Sequence, residues 1–266
     1  MSDTAVPVTD RPESPEPQRL SAVSLMLDPR NWPVWLVVVA CGIVMAGQVA
    51  GVVTMEDWAF SGTAMKEGRW WTLLTSTFLH GYTPEAPWLG YVHFASNVWA
   101  YLNLAPLVAA RFGKGWRGVV PFHLLYLLCG LAGNLLFWQL HPDGDIPVVG
   151  ASGAVYGVYA AVMRLDVFGE KIRPLVSNAT VNAIWFFIWS NALVVLLFGG
   201  PYLLLQVLQG QGGPLNIPIA WEAHLGGFVA GFLLIGLMGG RAWPNSWRAG
   251  IRIVRIPDPW QGIRRP

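Results

Sequence analysis

The sequence predicts an all-α membrane protein: a bundle of six transmembrane helices with the N- and C-termini cytoplasmic. Three observations carry this. Hydrophobic residues make up 54% of the 266-residue chain and charged residues only 12%, about half the charged fraction of an ordinary soluble domain. Six apolar segments approach or reach the roughly 20 residues that a helix needs to cross a bilayer. Lys and Arg fall almost wholly on one side once six spans alternate. The mean hydropathy of +0.45 agrees.

Residues 1–31 are polar and carry Pro7, Pro12, Pro15 and Pro17, so they read as a disordered cytoplasmic tail. They lack the basic stretch, short apolar run and small-residue cleavage site of a signal peptide. Residues 32–240 form the membrane domain. Its apolar segments are 34–53, 92–110, 119–140, 148–165, 181–198 and 219–238. The fourth is short and rich in Gly and Ala. The fifth runs on past Gly199, Gly200 and Pro201 into residues 202–208, read as a loop in or near the membrane surface. Residues 241–266 form a basic cytoplasmic tail.

The charges orient the bundle. Arg11, Arg19 and Arg30 precede the first span. Arg111, Lys114 and Arg117 lie between the second and third, and Arg164, Lys171 and Arg173 follow the fourth. Arg241, Arg248, Arg252, Arg255, Arg264 and Arg265 follow the sixth. Only Lys66 and Arg69 fall on the opposite side. The outer connection 56–90 carries Trp58, Trp70, Trp71 and Trp88, which suit the membrane interface. The connection 141–147 is short and acidic, with Asp143 and Asp145.

Composition also excludes function classes. A net charge of +2 gives no footprint for nucleic acid. Cys41 and Cys129 both lie in apolar stretches and read as small core residues. No H-E-x-x-H motif or other ligand spacing points to a metal, and nothing implies a cofactor.

Polar groups inside a membrane are expensive and mark functional sites. Here they are His93, Asn97, Ser152, Glu222 and His224, with His123, Asn134 and Asn191 beside them. The second, fourth and sixth spans all run from outside to inside. At 1.5 Å rise per residue, His93, Asn97, Ser152 and His224 then share one level within roughly 10 Å in depth, near the outer face.

Ser152 sits in Gly150-Ala151-Ser152-Gly153 where an apolar helix begins. The tetrapeptide alone is more often a turn. At a helix N-terminus, however, backbone N–H groups favour developing negative charge. Gly150, Ala151 and Gly153 leave room for a peptide backbone. A serine hydroxyl needs a base, and His224 is the best-placed candidate. Gly153 and Gly157 are four apart, as are Gly227 and Gly231. Small residues at that spacing let membrane helices approach closely, which would bring serine to histidine.

Glu222, two residues from His224, falls roughly 200° away on a helix. It reads as an interfacial carboxylate facing water or a loop, so a dyad is expected rather than a triad. Tyr156, one turn below Ser152, is placed to pack on His224. His93 and Asn97 share one helical face and offer N–H donors suited to an oxyanion. A hydrogen bond tying helices together is their other reading.

With these residues in order, the chain resembles the rhomboid intramembrane serine proteases. The resemblance rests on Gly150-Ala151-Ser152-Gly153 with Tyr156, on His93-x-x-x-Asn97, and on Ala223-His224-x-x-Gly227-x-x-x-Gly231. Glu67-Gly68-Arg69-Trp70-Trp71 followed by Phe78-Leu79-His80 is similar to the family's first loop. The resemblance implies a serine endopeptidase with Ser152 as nucleophile and His224 as base. It implies an oxyanion site of the Ser152 N–H with His93 and Asn97, and transmembrane helices as substrates, cut near the outer face. The fifth span and the loop after it are then the access route, with Trp185, Phe186 and Trp189 expected to line it. Thr72 stands where family members often have Arg, Glu222 where an aromatic is common, and residues 81–92 look like an insertion.

Two other readings compete. One is a catalytically inactive rhomboid-like protein that binds membrane clients; the other is a transporter with a polar midplane site. Ser152 and His224 argue against the first, and the absence of an inverted repeat against the second. The compact six-span form and the absence of a presequence point to a prokaryotic plasma membrane.

Overall fold

The computed structural model describes residues 29–239, apart from 114, 167–170, 201–203, 205–207 and 209–218. The expected tails therefore lie outside the described residues, except at 29–31. There Pro29–Asn31 forms a 3-10 turn instead of disordered chain, and Asn31 is buried where it leads into the first helix.

Six longer helices follow in chain order: α1 Trp32–Val49, α2 Pro87–Phe112, α3 Trp116–Leu140, α4 Ser152–Arg164, α5 Asn178–Val194 and α6 Trp221–Met238. Four of the described helices are long and apolar enough to cross a membrane: α1, α3, α6, and α5 extended to Leu197. α2 has 26 residues but carries more polar groups.

Several expected boundaries move by a few residues, and two of the shifts bear on the site. α2 starts at Pro87, five residues before the apolar run, because Pro at the first helical position suits a helix start. Trp88 therefore stands on a helix rather than in the outer connection. α4 starts at Ser152 instead of 148 and has only 13 residues, about 20 Å at helical rise. A lipid-exposed helix of that length would leave backbone groups unsatisfied. α4 is instead enclosed, with Ala154, Val158, Ala160 and Ala161 fully buried.

The chain before α4 is held by other means. Phe60 and Val148 exchange backbone hydrogen bonds at 3.1 and 2.7 Å, and the Gly150 N–H donates to the Ser76 carbonyl at 2.9 Å. The connection between α1 and α2 is thus folded rather than loose. It contains short helices at Met55–Trp58, Gly62–Lys66 and Thr72–Thr75, then a 3-10 turn at Ser76–Phe78. Asn134 of α3 pins it, donating to the Leu73 carbonyl and Ser76 Oγ at 2.8 and 2.9 Å. Gln48 of α1 accepts from the His80 backbone N–H at 2.9 Å. Trp58, Trp70, Trp71 and Trp88 are exposed, as interfacial aromatics would be.

The core joins α1, α2, α3, α4 and α6 through Tyr101, Phe122, Leu125, Tyr126, Val158 and Ile235. α4 and α6 touch through backbone. A Cβ on Gly227 would overlap the Gly153 carbonyl oxygen, and one on Gly231 the Gly157 carbonyl oxygen. α5 is attached more lightly. Only Ala183 and Asn191 are buried among its described side chains. Its other attachments include ring contacts, such as Phe186 stacked on Tyr159 at 4.5 Å and Phe187 against Phe228 at 4.9 Å.

Candidate active site

The close approach of α4 and α6 brings Ser152, the first residue of α4, against His224 in the first turn of α6. Ser152 Oγ lies 2.8 Å from His224 Nε2. His224 is buried and Ser152 half-buried. The Tyr156 ring stacks on the imidazole, with centroids 4.6 Å apart and planes at 29°.

On its far edge the imidazole meets a residue that sequence reasoning left unassigned. His224 Nδ1 lies 2.7 Å from Asn191 Oδ1. The preceding residue in the chain, Ser190, accepts a hydrogen bond from the Tyr156 hydroxyl at 3.0 Å. A signal for both was present. On the expected orientation the fifth span runs from inside to outside, which would bring residues near its outer end to the level of Ser152. Ser190-Asn191 is a polar pair there in an otherwise apolar run.

His93 and Asn97 face the same space. Gly150 has φ +121°, and a Cβ there would lie 2.7 Å from His93 Cε1, 2.8 Å from His93 Nε2 and 3.6 Å from Ser152 Oγ. Glycine at this position therefore lets the backbone take a conformation other residues avoid and lets the His93 ring approach the serine. Asn97 is buried. Its Nδ2 donates to the His93 carbonyl, one turn back on the same helix, at 3.0 Å. That bond ties no second helix.

A cavity of about 850 Å³ adjoins these groups, lined among others by Ser152, His224, His93, Asn97 and Tyr156. It continues between α2 and α5, past Trp99, Asn103, Phe186 and Val194. Phe186 lines it as expected. Trp185 and Trp189 do not, and they are 57% and 69% exposed. Residues four apart share a helix face, so Trp185 and Trp189 point outward together while Phe186 and Ser190 point inward.

Of the two settings expected for Glu222, water or a loop, the structure has the loop. Glu222 is buried and pairs with His141, the first residue after α3, with His141 Nε2 3.0 Å from Glu222 Oε1. A buried carboxylate needs such a partner. It makes no described contact with His224, which turns to Ser152 and Asn191.

Comparison with known proteins decides the family. The Rhomboid domain model matches residues 67–241, more than half of the chain. The chain belongs to the rhomboid family. As a rhomboid with long apolar helices, it is an integral membrane protein. Its relatives include RHOMBOID-like protein 5 of Arabidopsis thaliana, 28% identical over 64% of this chain and 44% of the relative. Rhomboid protease GluP of Bacillus subtilis (strain 168) is 24% identical over 74% of this chain and 31% of the relative. RHOMBOID-like protein 9, chloroplastic, of Arabidopsis thaliana is 32% identical over 62% of this chain and 31% of the relative. The matched region thus spans less than half of each of these three proteins. One of them carries the name protease.

Proposed function

We propose that this rhomboid is an intramembrane serine endopeptidase that cuts transmembrane helices near the outer membrane face. One observation carries the reading: the 2.8 Å contact of Ser152 Oγ with His224 Nε2 at the cavity wall. A half-buried serine and a buried histidine on two different helices, in hydrogen-bond contact beside an open cavity, have the geometry of an activated nucleophile.

The steps follow from the groups present. His224 Nε2 takes the Ser152 hydroxyl proton as Oγ attacks the scissile carbonyl carbon. The carbonyl oxygen becomes an oxyanion, stabilised by the Ser152 backbone N–H with the side chains of His93 and Asn97. The tetrahedral species collapses, the C–N bond breaks, and the proton on Nε2 passes to the leaving amine. Water, deprotonated in turn by His224, then attacks the acyl-serine ester; the C–O bond to Ser152 breaks and the proton on Nε2 returns to Oγ. No cofactor, metal or nucleic acid enters these steps. Substrates are transmembrane segments of other proteins, reaching Ser152 from the bilayer through the cavity between α2 and α5.

The same proposal has α1 to α6 all crossing the membrane with both termini cytoplasmic. It is supported by the charge asymmetry of the connections. The short α4 crosses within the protein interior, enclosed by its neighbours. The proposed membrane is the prokaryotic plasma membrane, which the Bacillus relative supports; cell fractionation tests it against the organelles where chloroplastic relatives reside.

The test is labelling with a fluorophosphonate probe in liposomes, alongside cleavage of a reporter transmembrane substrate. Wild type labels and cleaves, and Ser152→Ala does neither. Equal labelling of the two proteins overturns Ser152 as nucleophile. A wild type that binds substrate but neither labels nor cleaves favours the client-binding alternative.

A further inference from the structure

A general base must present a bare nitrogen to the hydroxyl it activates, and imidazole has two tautomers. We infer that Asn191 on α5 is a positioning residue that holds His224 with its proton on Nδ1, leaving Nε2 bare toward Ser152. The inference rests on the proteolytic reading above and adds a third residue to the dyad.

The hydrogen bonds of Asn191 fix the choice. Its Nδ2 donates to the Phe187 carbonyl, one turn back on α5, at 2.9 Å. A carbonyl oxygen only accepts, so the amide nitrogen must face it and Oδ1 must face His224. Oδ1 in turn only accepts. The 2.7 Å contact with His224 Nδ1 therefore requires the N–H on that nitrogen. A neutral imidazole carries one such proton, so Nε2 keeps its lone pair, 2.8 Å from Ser152 Oγ. With the amide reversed, an N–H would face Nδ1. The imidazole proton would then sit on Nε2, which would point a donor at the serine and could not act as a base.

During the reaction Asn191 neither gains nor loses a proton. The serine O–H breaks, its proton moves to Nε2, and the Nδ1–H stays in place, still donating to Oδ1. The imidazolium so formed meets a carboxamide dipole rather than a negative charge.

The neighbouring residue acts on the ring face. Ser190 Oγ accepts from the Tyr156 hydroxyl at 3.0 Å and donates to the Phe187 carbonyl at 3.1 Å. Tyr156 stacks on His224. Two consecutive residues of the lightly attached α5 thus hold the imidazole, Asn191 directly at its edge and Ser190 through Tyr156 at its face.

The experiment uses the full-length protein with ¹⁵N-labelled histidine in detergent micelles, the His224 signals being assigned by their loss in His224→Gln. Reporter cleavage is followed against pH in liposomes. In wild type, His224 carries its proton on Nδ1. In Asn191→Leu, which keeps a similar side-chain size, that preference is lost. Its kcat falls roughly 10- to 100-fold with KM nearly unchanged, as expected when a reacting group is mispositioned. Asn191→Asp restores the acceptor and most of kcat. Its carboxylate stabilises the imidazolium, so the acidic limb of the kcat profile moves to higher pH.

An unchanged Nδ1 proton and unchanged kcat in Asn191→Leu overturn the inference. If that variant does not fold, the isosteric Asn191→Asp decides, and an unmoved acidic limb overturns it. If wild type neither labels nor cleaves, the proteolytic reading fails instead, while the tautomer measurement still reports on Asn191.

Discussion

The carbonyl oxygen of Gly153 occupies the space where a Cβ on Gly227 would sit, and Gly157 and Gly231 repeat the relationship one turn deeper. Backbone, not side chains, sets the distance between α4 and α6. Since Ser152 precedes Gly153 and His224 lies one turn before Gly227, the same contact sets the spacing of serine and histidine. Gly227→Ala and Gly231→Ala should each force the helices apart. The expected cost is about 1–3 kcal/mol of stability, as for other overpacked cores, and reporter cleavage should fall even in the folded fraction. Thermal unfolding in detergent and cleavage per folded molecule check both parts. A Gly227→Ala variant with wild-type stability would show that the helices can shift without strain.

The Tyr156 ring and the Tyr156 hydroxyl do separate things. The ring stacks on His224, and the hydroxyl bonds to Ser190. Tyr156→Phe keeps the stack and loses one hydrogen bond, worth about 1 kcal/mol net. Its kcat should fall no more than about tenfold. Tyr156→Ala removes the stack as well and should fall much further. Equal kcat values for the two variants would mean that the stack does not orient the imidazole.

How far the sequence carries can be argued from these residues. Ser152, His224, Tyr156, His93 and Asn97 were legible because each is a polar group in an apolar run, and the charge asymmetry puts them at one depth. The glycine spacing also named the helix pair that meets. What was not legible depended on rotation and long-range pairing. Asn191 was visible as a buried polar residue, but nothing local said that α5 turns it toward His224. Trp185 and Trp189 were expected at the cavity because aromatics suit an access route; the helical period turns them outward. Glu222 was readable as turned away from His224, toward water or a loop, from its angle on the helix. Its partner, His141, is 81 residues away and found only by folding. The start of α4 was misplaced because residues 148–151 are as apolar as a helix. They pair with residues 60 and 76 instead.

His93 and Asn97 offer a test of charge stabilisation apart from architecture. If each supplies a donor to the oxyanion, His93→Ala and Asn97→Ala should lower kcat by up to about 10²–10³-fold. KM should change little, because the interaction forms only in the transition state. The Asn97 amide bonds within its own helix, so its loss should not loosen the bundle. Steady-state kinetics with a reporter substrate and thermal unfolding separate the outcomes. A large loss of stability with normal kcat in the folded fraction would assign these residues to helix packing.

Glu222 lies two residues from His224, yet the structure turns it away to His141. The side chain of His141 is 44% exposed and that of Glu222 11%. Solvent therefore screens the pair, and its contribution should be no more than about 1 kcal/mol. Glu222→Gln keeps an acceptor for His141 and removes the charge. It should lower the unfolding temperature slightly and leave kcat within a few-fold of wild type. Glu222→Leu removes the acceptor and should destabilise somewhat more, again with near-normal kcat per folded molecule. The kcat–pH profiles of both variants should overlay that of wild type, because Glu222 touches neither Ser152 nor His224. A profile displaced by the loss of this carboxylate would instead make Glu222 part of the electrostatic environment of the base, despite its facing the other way.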